Sequence, residues 1–153
     1  MRTGIGIDSH RFEEGRRLVL GGVEIPFERG LAGHSDADVL AHAIIDALLG
    51  AAGMGDIGQL YPDTEAAWKD ADSMALLRDV AARVREAGYV IEHVDATVML
   101  ERPKLAPHRA AIHASLQAVL GSVNVKATTG ERMGFVGRGE GAAALAVATI
   151  APA

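Results

Sequence analysis

The chain has 153 residues, enough for one sizeable core and too few for a second domain, and carries a formal net charge of −5. That balance gives no general pull toward nucleic acid or an anionic membrane, so any phosphate-binding site has to be local. Hydrophobic residues make up 49% of the chain but aromatics only 4%, and there is no cysteine, which excludes disulfides and thiolate ligands and leaves a core of Ala, Val, Leu and Ile.

Residues 2–9 read as a strand. Residues 18–20 and 23–25 read as a hairpin turned by Gly21-Gly22 and stopped by Pro26. Ser35 and Asp38 have the spacing of a capping box, with Asp in place of the usual Glu or Gln. The box would open a helix on which Val39, Leu40, Ala43, Ile44, Ala47 and Leu48 follow the helical period. Asp38, His42 and Asp46 recur every four residues there and share one stripe. Residues 53–66 form a loop bearing Gly and Pro. A second helix is predicted from about Ser73 to Glu86, ended by Gly88. Residues 90–100 alternate as a strand, 101–107 break it, and a third helix runs to about Leu120. Residues 123–127 form a short strand. A glycine-rich turn at 134–141 then leads to an apolar segment, 142–151, read as a strand from Val147, Thr149 and Ile150. The fold class is α+β: a small single domain over 1–153, with a mixed sheet packed against helices. No apolar run approaches the ~20 residues that span a bilayer, and no signal-like segment precedes the first strand, so a cytoplasmic protein is expected.

The chemistry concentrates in Asp8-Ser9-His10 and in the run from His34 to His42. On a strand Asp8 and His10 point to the same face, and a helix packed on that face can add His42 as a third ligand. One carboxylate and two imidazoles make zinc the leading candidate, with an open fourth position suited to chemistry. Asp38 and Asp46 are candidates for outer partners that fix the His42 ring, or else are solvated or capping carboxylates. Ser35, near a helix start, also suits anion binding.

Several stretches together carry a resemblance: Gly-Ile-Asp-Ser-His (6–10), His-Ser-Asp-Ala-Asp (34–38), His42 to Gly50, Gly-Asp-Ile-Gly (55–58), Tyr-Pro-Asp-Thr (61–64), Asn-Val-Lys-Ala-Thr-Thr (124–129) and Gly-Phe-Val-Gly-Arg-Gly-Glu-Gly (134–141). In these the chain resembles the 2-C-methyl-D-erythritol 2,4-cyclodiphosphate synthase family of non-mevalonate isoprenoid biosynthesis. The resemblance implies a homotrimer with active sites between neighbouring subunits. It also implies a reaction in which the 2-phosphate of a cytidine diphosphate-linked methylerythritol attacks the β-phosphate of the same molecule and releases CMP. Zinc would sit on Asp8, His10 and His42, and magnesium or manganese on Glu131.

Substrate-contacting positions follow from the same resemblance. Ser9 joins Asp8 and His10, and His34 and Ser35 match phosphate contacts. Asp56, Ile57 and Gly58 match the positions that hold the methylerythritol hydroxyls, followed by the substrate loop Tyr61, Pro62, Asp63, Thr64 and Glu65. Leu100, Glu101, Arg102, Pro103, Lys104, Leu105 and Ala106 match the loop that wraps cytosine. Ala127, Thr128, Thr129, Gly130 and Glu131 match the diphosphate segment, with His34 and Thr129 at the positions of transition-state stabilisation. The family often has Thr where Gly130 stands, which implies a looser loop here. Phe135 and Arg138, with Glu140 pairing the arginine across the interface, match a three-fold-axis cavity for isoprenoid diphosphates.

Two other functions are compatible with parts of the pattern: a zinc-dependent nucleotide-diphosphate hydrolase and an isoprenoid-diphosphate-binding protein. The loop at 103–106 and the Thr-Thr-x-Glu segment favour the cyclase, because a bare hydrolase has no need to grip both ends of its substrate. His93, His108 and His113 fall in no motif and read as structural, and Tyr61 and Trp68 read as packing residues. The glycine-rich run lacks the Gly-Lys-Ser/Thr ending of a P-loop and reads as a tight turn at a subunit contact.

Overall fold

The first strand runs past its predicted end at residue 9. In the computed structural model, which describes every residue except 63, 67 and 68, β1 spans Arg2–Glu14 and carries Asp8 and His10 within it. The hairpin forms as expected from β2 (Leu18–Leu20) and β3 (Val23–Ile25), with Gly21 and Gly22 both at positive φ, as a tight two-residue turn requires. The larger sheet takes in β4 (Arg29–Leu31), β5 (Tyr89–Met99), β6 (Val123–Thr128) and β7 (Gly141–Pro152), in the order β4-β1-β7-β5-β6. β7 runs antiparallel to both β1 and β5, whereas β6 lies parallel to β5. The sheet is therefore mixed, and β1, β5 and β6 all end on one edge.

Strand period assigns the two faces of this sheet. Gly4, Gly6, Ala144, Ala146 and Ala148 are buried on the inner face, while Ile5 and Ile7 on the outer face stay 61% and 63% exposed. Across the inner face lies α1 (Val39–Ala52), most of whose circumference is buried, which makes it the centre of the core. A Cβ added at Gly6 would stand 1.8 Å from the Ala43 carbonyl oxygen, and one at Gly4 would stand 2.1 Å from that of Ala47. Only glycine lets this helix lie so close to the strand. Leu40, Ile44 and Leu48 are fully buried, and truncating any one of them to Ala would cost about 2–5 kcal/mol.

The predicted capping box does not form. Asp38 is itself the N-cap of α1, accepting the Ala41 N–H at 3.0 Å, while Ser35 Oγ accepts the Ala37 N–H at 3.1 Å. Asp38 also accepts the N–H groups of Gly21 and Gly22, at 2.9 and 2.8 Å, and so ties the hairpin turn to the helix. A short helix, α2 (Ile57–Leu60), stands within the predicted loop. α3 (Ser73–Glu86) agrees with its predicted bounds and is capped by Asp72. α4 (Arg109–Leu120) follows a 3-10 turn over Ala106–His108, and α5 (Gly134–Gly137) is a single turn inside the glycine-rich segment. No helix among the described residues is long and apolar enough to cross a membrane.

Candidate functional site

Asp8, His10 and His42 meet where β1 passes under α1. Asp8 Oδ2 lies 2.8 Å from His10 Nε2 and 3.1 Å from His42 Nδ1, and ligand atoms of the three all lie within 4.8 Å of one another. Burial alone would push the Asp8 carboxyl up, but the hydrogen bonds and charges of the two imidazoles outweigh it and hold it down to about 2. For His10, burial acts downward, and the Asp8 carboxylate prevails to raise it above its ordinary value.

The outer ring nitrogens settle which lone pairs are free. His10 Nδ1 lies 2.7 Å from the Ala32 carbonyl oxygen, which only accepts, so Nδ1 carries a proton and Nε2, facing Asp8, is the nitrogen left for a bound cation. His42 Nε2 lies 2.8 Å from Ser73 Oγ, whose own proton is donated to Asp36 Oδ1. Nε2 therefore donates to Ser73, which leaves Nδ1, facing Asp8, as the nitrogen whose lone pair a bound cation would take. One carboxylate oxygen and two oriented nitrogens, half-buried and already tied down from behind, suit a borderline divalent ion such as zinc. The residues present fit the group.

Of the two roles open to Asp38 and Asp46, the structure favours the capping one over support of the His42 ring. Asp38 is spent on the cap and the hairpin, and Asp46 accepts the Ile57 N–H at 2.8 Å, holding the start of α2. Ser73 and Asp36 take the role in their place, with Ser35 Oγ also 3.2 Å from His42 Nε2. Ser73 carries a sequence signal only as part of a helix start. Its reach to a ring 31 residues away depends on how α3 packs against α1.

The three ligands open onto a cavity of about 300 Å³ that His34, Ser35, Ile57, Gly58 and Tyr61 also line, together with Leu76, which sequence reasoning missed. Asp56 caps α2 through the Gln59 N–H at 2.9 Å, and Tyr61 donates its hydroxyl to Asp79. Pro62, Thr64 and Glu65 follow without lining this cavity, and Asp63 and Trp68 lie outside the described residues.

A second groove of about 190 Å³ lies at the far side of the sheet, where the parallel strands β5 and β6 end together. It brings the loop residues Leu100, Glu101, Pro103, Lys104, Leu105 and Ala106 against Ala127, Thr128 and Thr129, and adds Arg109 from α4. Arg102 does not line it, since its guanidinium pairs with Glu28 at 3.1 Å and lies over the Phe27 ring. Gly130 and Glu131 follow in a turn just beyond. The looser loop expected at Gly130 is replaced by tight packing: a Cβ there would stand 2.5 Å from the Gly137 nitrogen.

Ser9, Phe135 and Glu140 border a third recess on the outer side. Within this chain Arg138 pairs with Glu140 at 2.8 Å. His93 and His113 are held by Ser122 Oγ and the Val123 carbonyl, as structural histidines are.

The YgbB family profile matches residues 1–151. The 2-C-methyl-D-erythritol 2,4-cyclodiphosphate synthase of Salinibacter ruber is 62% identical over 154 aligned positions, covering 98% of each chain. The bifunctional IspDF of Campylobacter jejuni superposes with a TM-score of 0.95 at 46% identity, over 99% of this chain and 42% of that longer one. A 2-C-methyl-D-erythritol 2,4-cyclodiphosphate synthase solved with CDP bound superposes with a TM-score of 0.90 at 38% identity, over 98% of this chain and 100% of the other. By these matches, and with a carboxylate and two imidazoles clustered on β1 and α1, the chain belongs to the YgbB family, that of the 2-C-methyl-D-erythritol 2,4-cyclodiphosphate synthases.

Proposed function

We infer that this chain, as one domain over 1–153, works in the cytoplasm as the CMP-releasing cyclodiphosphate synthase of the non-mevalonate isoprenoid pathway, a phosphorus–oxygen lyase. An oxygen of the substrate's 2-phosphate attacks the β-phosphorus, the bond from that phosphorus to the bridging oxygen breaks, and CMP leaves. Such a displacement needs alignment of nucleophile and phosphorus and neutralisation of the non-bridging oxygens more than covalent help. Zinc on Asp8, His10 and His42, and magnesium or manganese on Glu131, supply that neutralisation when bound. The observation that carries the reading is the ligand cluster itself, with its two outer nitrogens already engaged by Ala32 and Ser73.

The chain's own residues do the positioning. His34 and Ser35, on the cavity wall beside Asp8, hold a substrate phosphate. Asp56, Ile57 and Gly58 with the loop of Tyr61 to Glu65 hold the methylerythritol hydroxyls. The 100–106 loop takes cytosine, and Ala127 to Glu131 take the diphosphate. Thr129 and His34 stabilise charge in the transition state.

The homotrimer is supported by two features. The outer sheet face presents Ile5, Ile7 and Val147 with no layer over them, as an interface between copies would. Within one chain β1 and β6 are also separated by two strands, about 14 Å, so a diphosphate held by the 127–131 segment lies beyond reach of that chain's zinc ligands. A site shared between neighbouring subunits removes the gap. Phe135 and Arg138 line an axial recess for an isoprenoid diphosphate, with Arg138 released from Glu140 to meet the phosphates.

The test is incubation with the cytidine-linked 2-phosphate substrate, following CMP and the cyclic diphosphate by phosphorus NMR. CMP release from a substrate lacking the 2-phosphate, at a comparable rate, would mark a hydrolase and reject the cyclase.

A further inference from the structure

We propose that Glu101 is a positioning residue that locks the turn carrying Glu131 to the loop that takes the base, so that the two are built as one unit; this rests on the nucleotide reading given above. Glu101 follows β5, where the Leu100 N–H donates to the Thr128 carbonyl at 2.9 Å and extends the pairing of β5 with β6 by one step. Its side chain then crosses to the neighbouring segment. Oε2 accepts the Gly130 N–H at 2.9 Å, and Oε1 accepts the Arg132 N–H at 3.2 Å. The N–H between them, that of Glu131, is taken by Thr129 Oγ1 at 3.2 Å. Three successive amides are thus engaged, two of them by one carboxylate.

The turn needs such a hold. Glu131 and Arg132 have φ of 51° and 63°, a left-handed conformation that residues with a Cβ avoid unless the surroundings impose it. Consecutive amides pointing inward from such a turn form a concave nest for an anion, and here the anion is a side chain of the same protein. Gly137 closes the other side by packing against Gly130 without room for a Cβ. With its backbone fixed on both sides, the Glu131 side chain projects outward and forms no ion pair among the described residues. A single carboxylate, here touched by the Thr129 hydroxyl at 3.4 Å, is the protein's usual share of a magnesium site completed by substrate phosphates.

Glu101 lies in a loop whose neighbours face the groove, so the alternative role is direct contact with the base. The two roles separate in Glu101→Gln and Glu101→Ala. Measured on the metal-free proteins, amide hydrogen exchange at Gly130 and Arg132 should accelerate about 10–100-fold in Glu101→Ala, the loss of a charge-assisted hydrogen bond at each. Glu101→Gln, whose one carbonyl oxygen can serve a single amide well, should fall between. In turnover the half-saturating magnesium concentration should rise and kcat fall, each by about tenfold, while CMP affinity without magnesium stays within about twofold of wild type. Unchanged exchange in Glu101→Ala would overturn the lock, as would a large loss of CMP affinity without a shift in magnesium dependence. If the wild type fails to release CMP from its substrate, the enzymatic reading falls, while the exchange measurement still decides the lock.

Discussion

Gly6→Ala tests whether a single hydrogen on the strand sets the geometry of the metal site. The added Cβ would stand 1.8 Å from the Ala43 carbonyl oxygen and 2.7 Å from the Ala47 nitrogen, both backbone atoms of α1 that cannot rotate away. An ordinary carbon–oxygen contact is about 3.3 Å, so helix and strand would have to separate by about 1.5 Å. Overpacking typically costs about 1–3 kcal/mol, and the rigidity of the obstructing atoms puts this case at the upper end. His42, adjacent to Ala43, would retreat with the helix and open its 3.1 Å approach to Asp8 beyond about 4 Å, where metal sites tolerate deviations of only about 0.2 Å. Urea denaturation and zinc competition against a chelator should therefore both respond. Gly50→Ala is the control on the same helix: its Cβ would meet nothing closer than 3.7 Å, and the better helix former should add up to about 1 kcal/mol. A Gly6→Ala protein with full zinc affinity and an unchanged denaturation midpoint would refute the reasoning.

Ser73→Ala removes the acceptor for His42 Nε2–H and should weaken zinc binding by about 10–100-fold in chelator competition, with Ser35 Oγ keeping it from larger loss; unchanged affinity would dismiss the relay. In metal-free protein, Asp8 is held below its ordinary value, so its contribution is complete above about pH 4–5 and is lost as pH falls from 3.8 through about 2. Asp8→Asn should abolish that part of the acid destabilisation, on the order of 1–2 kcal/mol by urea melts at paired pH values; parallel curves for the two proteins would contradict it. His42→Ala and Glu131→Gln chains, each inactive alone, should recover roughly a quarter of wild-type activity when assembled together in equal amounts, because a shared site can draw one intact half from each. A mixture no more active than its parents would place both halves in one subunit.

The elements that sequence made legible are those whose pattern is local. β2 and β3 announce themselves through Gly21-Gly22, and α3 through its period and Gly88, because hydrogen bonds between near neighbours specify them. The shared face of Asp8 and His10 was legible for the same reason: it needs only a strand's alternation. What stayed hidden depends on contacts between distant segments. Nothing near His42 marks Ser73 and Asp36 as its supports, and helical spacing alone left Asp38 and Asp46 open between that role and capping. Asp38 looked like the far half of a capping box, yet the amides of Gly21 and Gly22 made it the better cap. Gly130 read as slack in the chain because its crowding comes from Gly137, which the turn folds back against it.

The parity of β1 divides heritable information in an uncommonly clean way. Even-numbered positions from Gly4 to His10 face the helix, and the odd-numbered ones between them face outward. A point mutation on the outward set leaves the packing of the inward set against the helix in place. A one-residue insertion or deletion within the strand has no such freedom, since it exchanges the two sets at a stroke. A substitution along this strand disturbs one face, whereas a change in its length disturbs both.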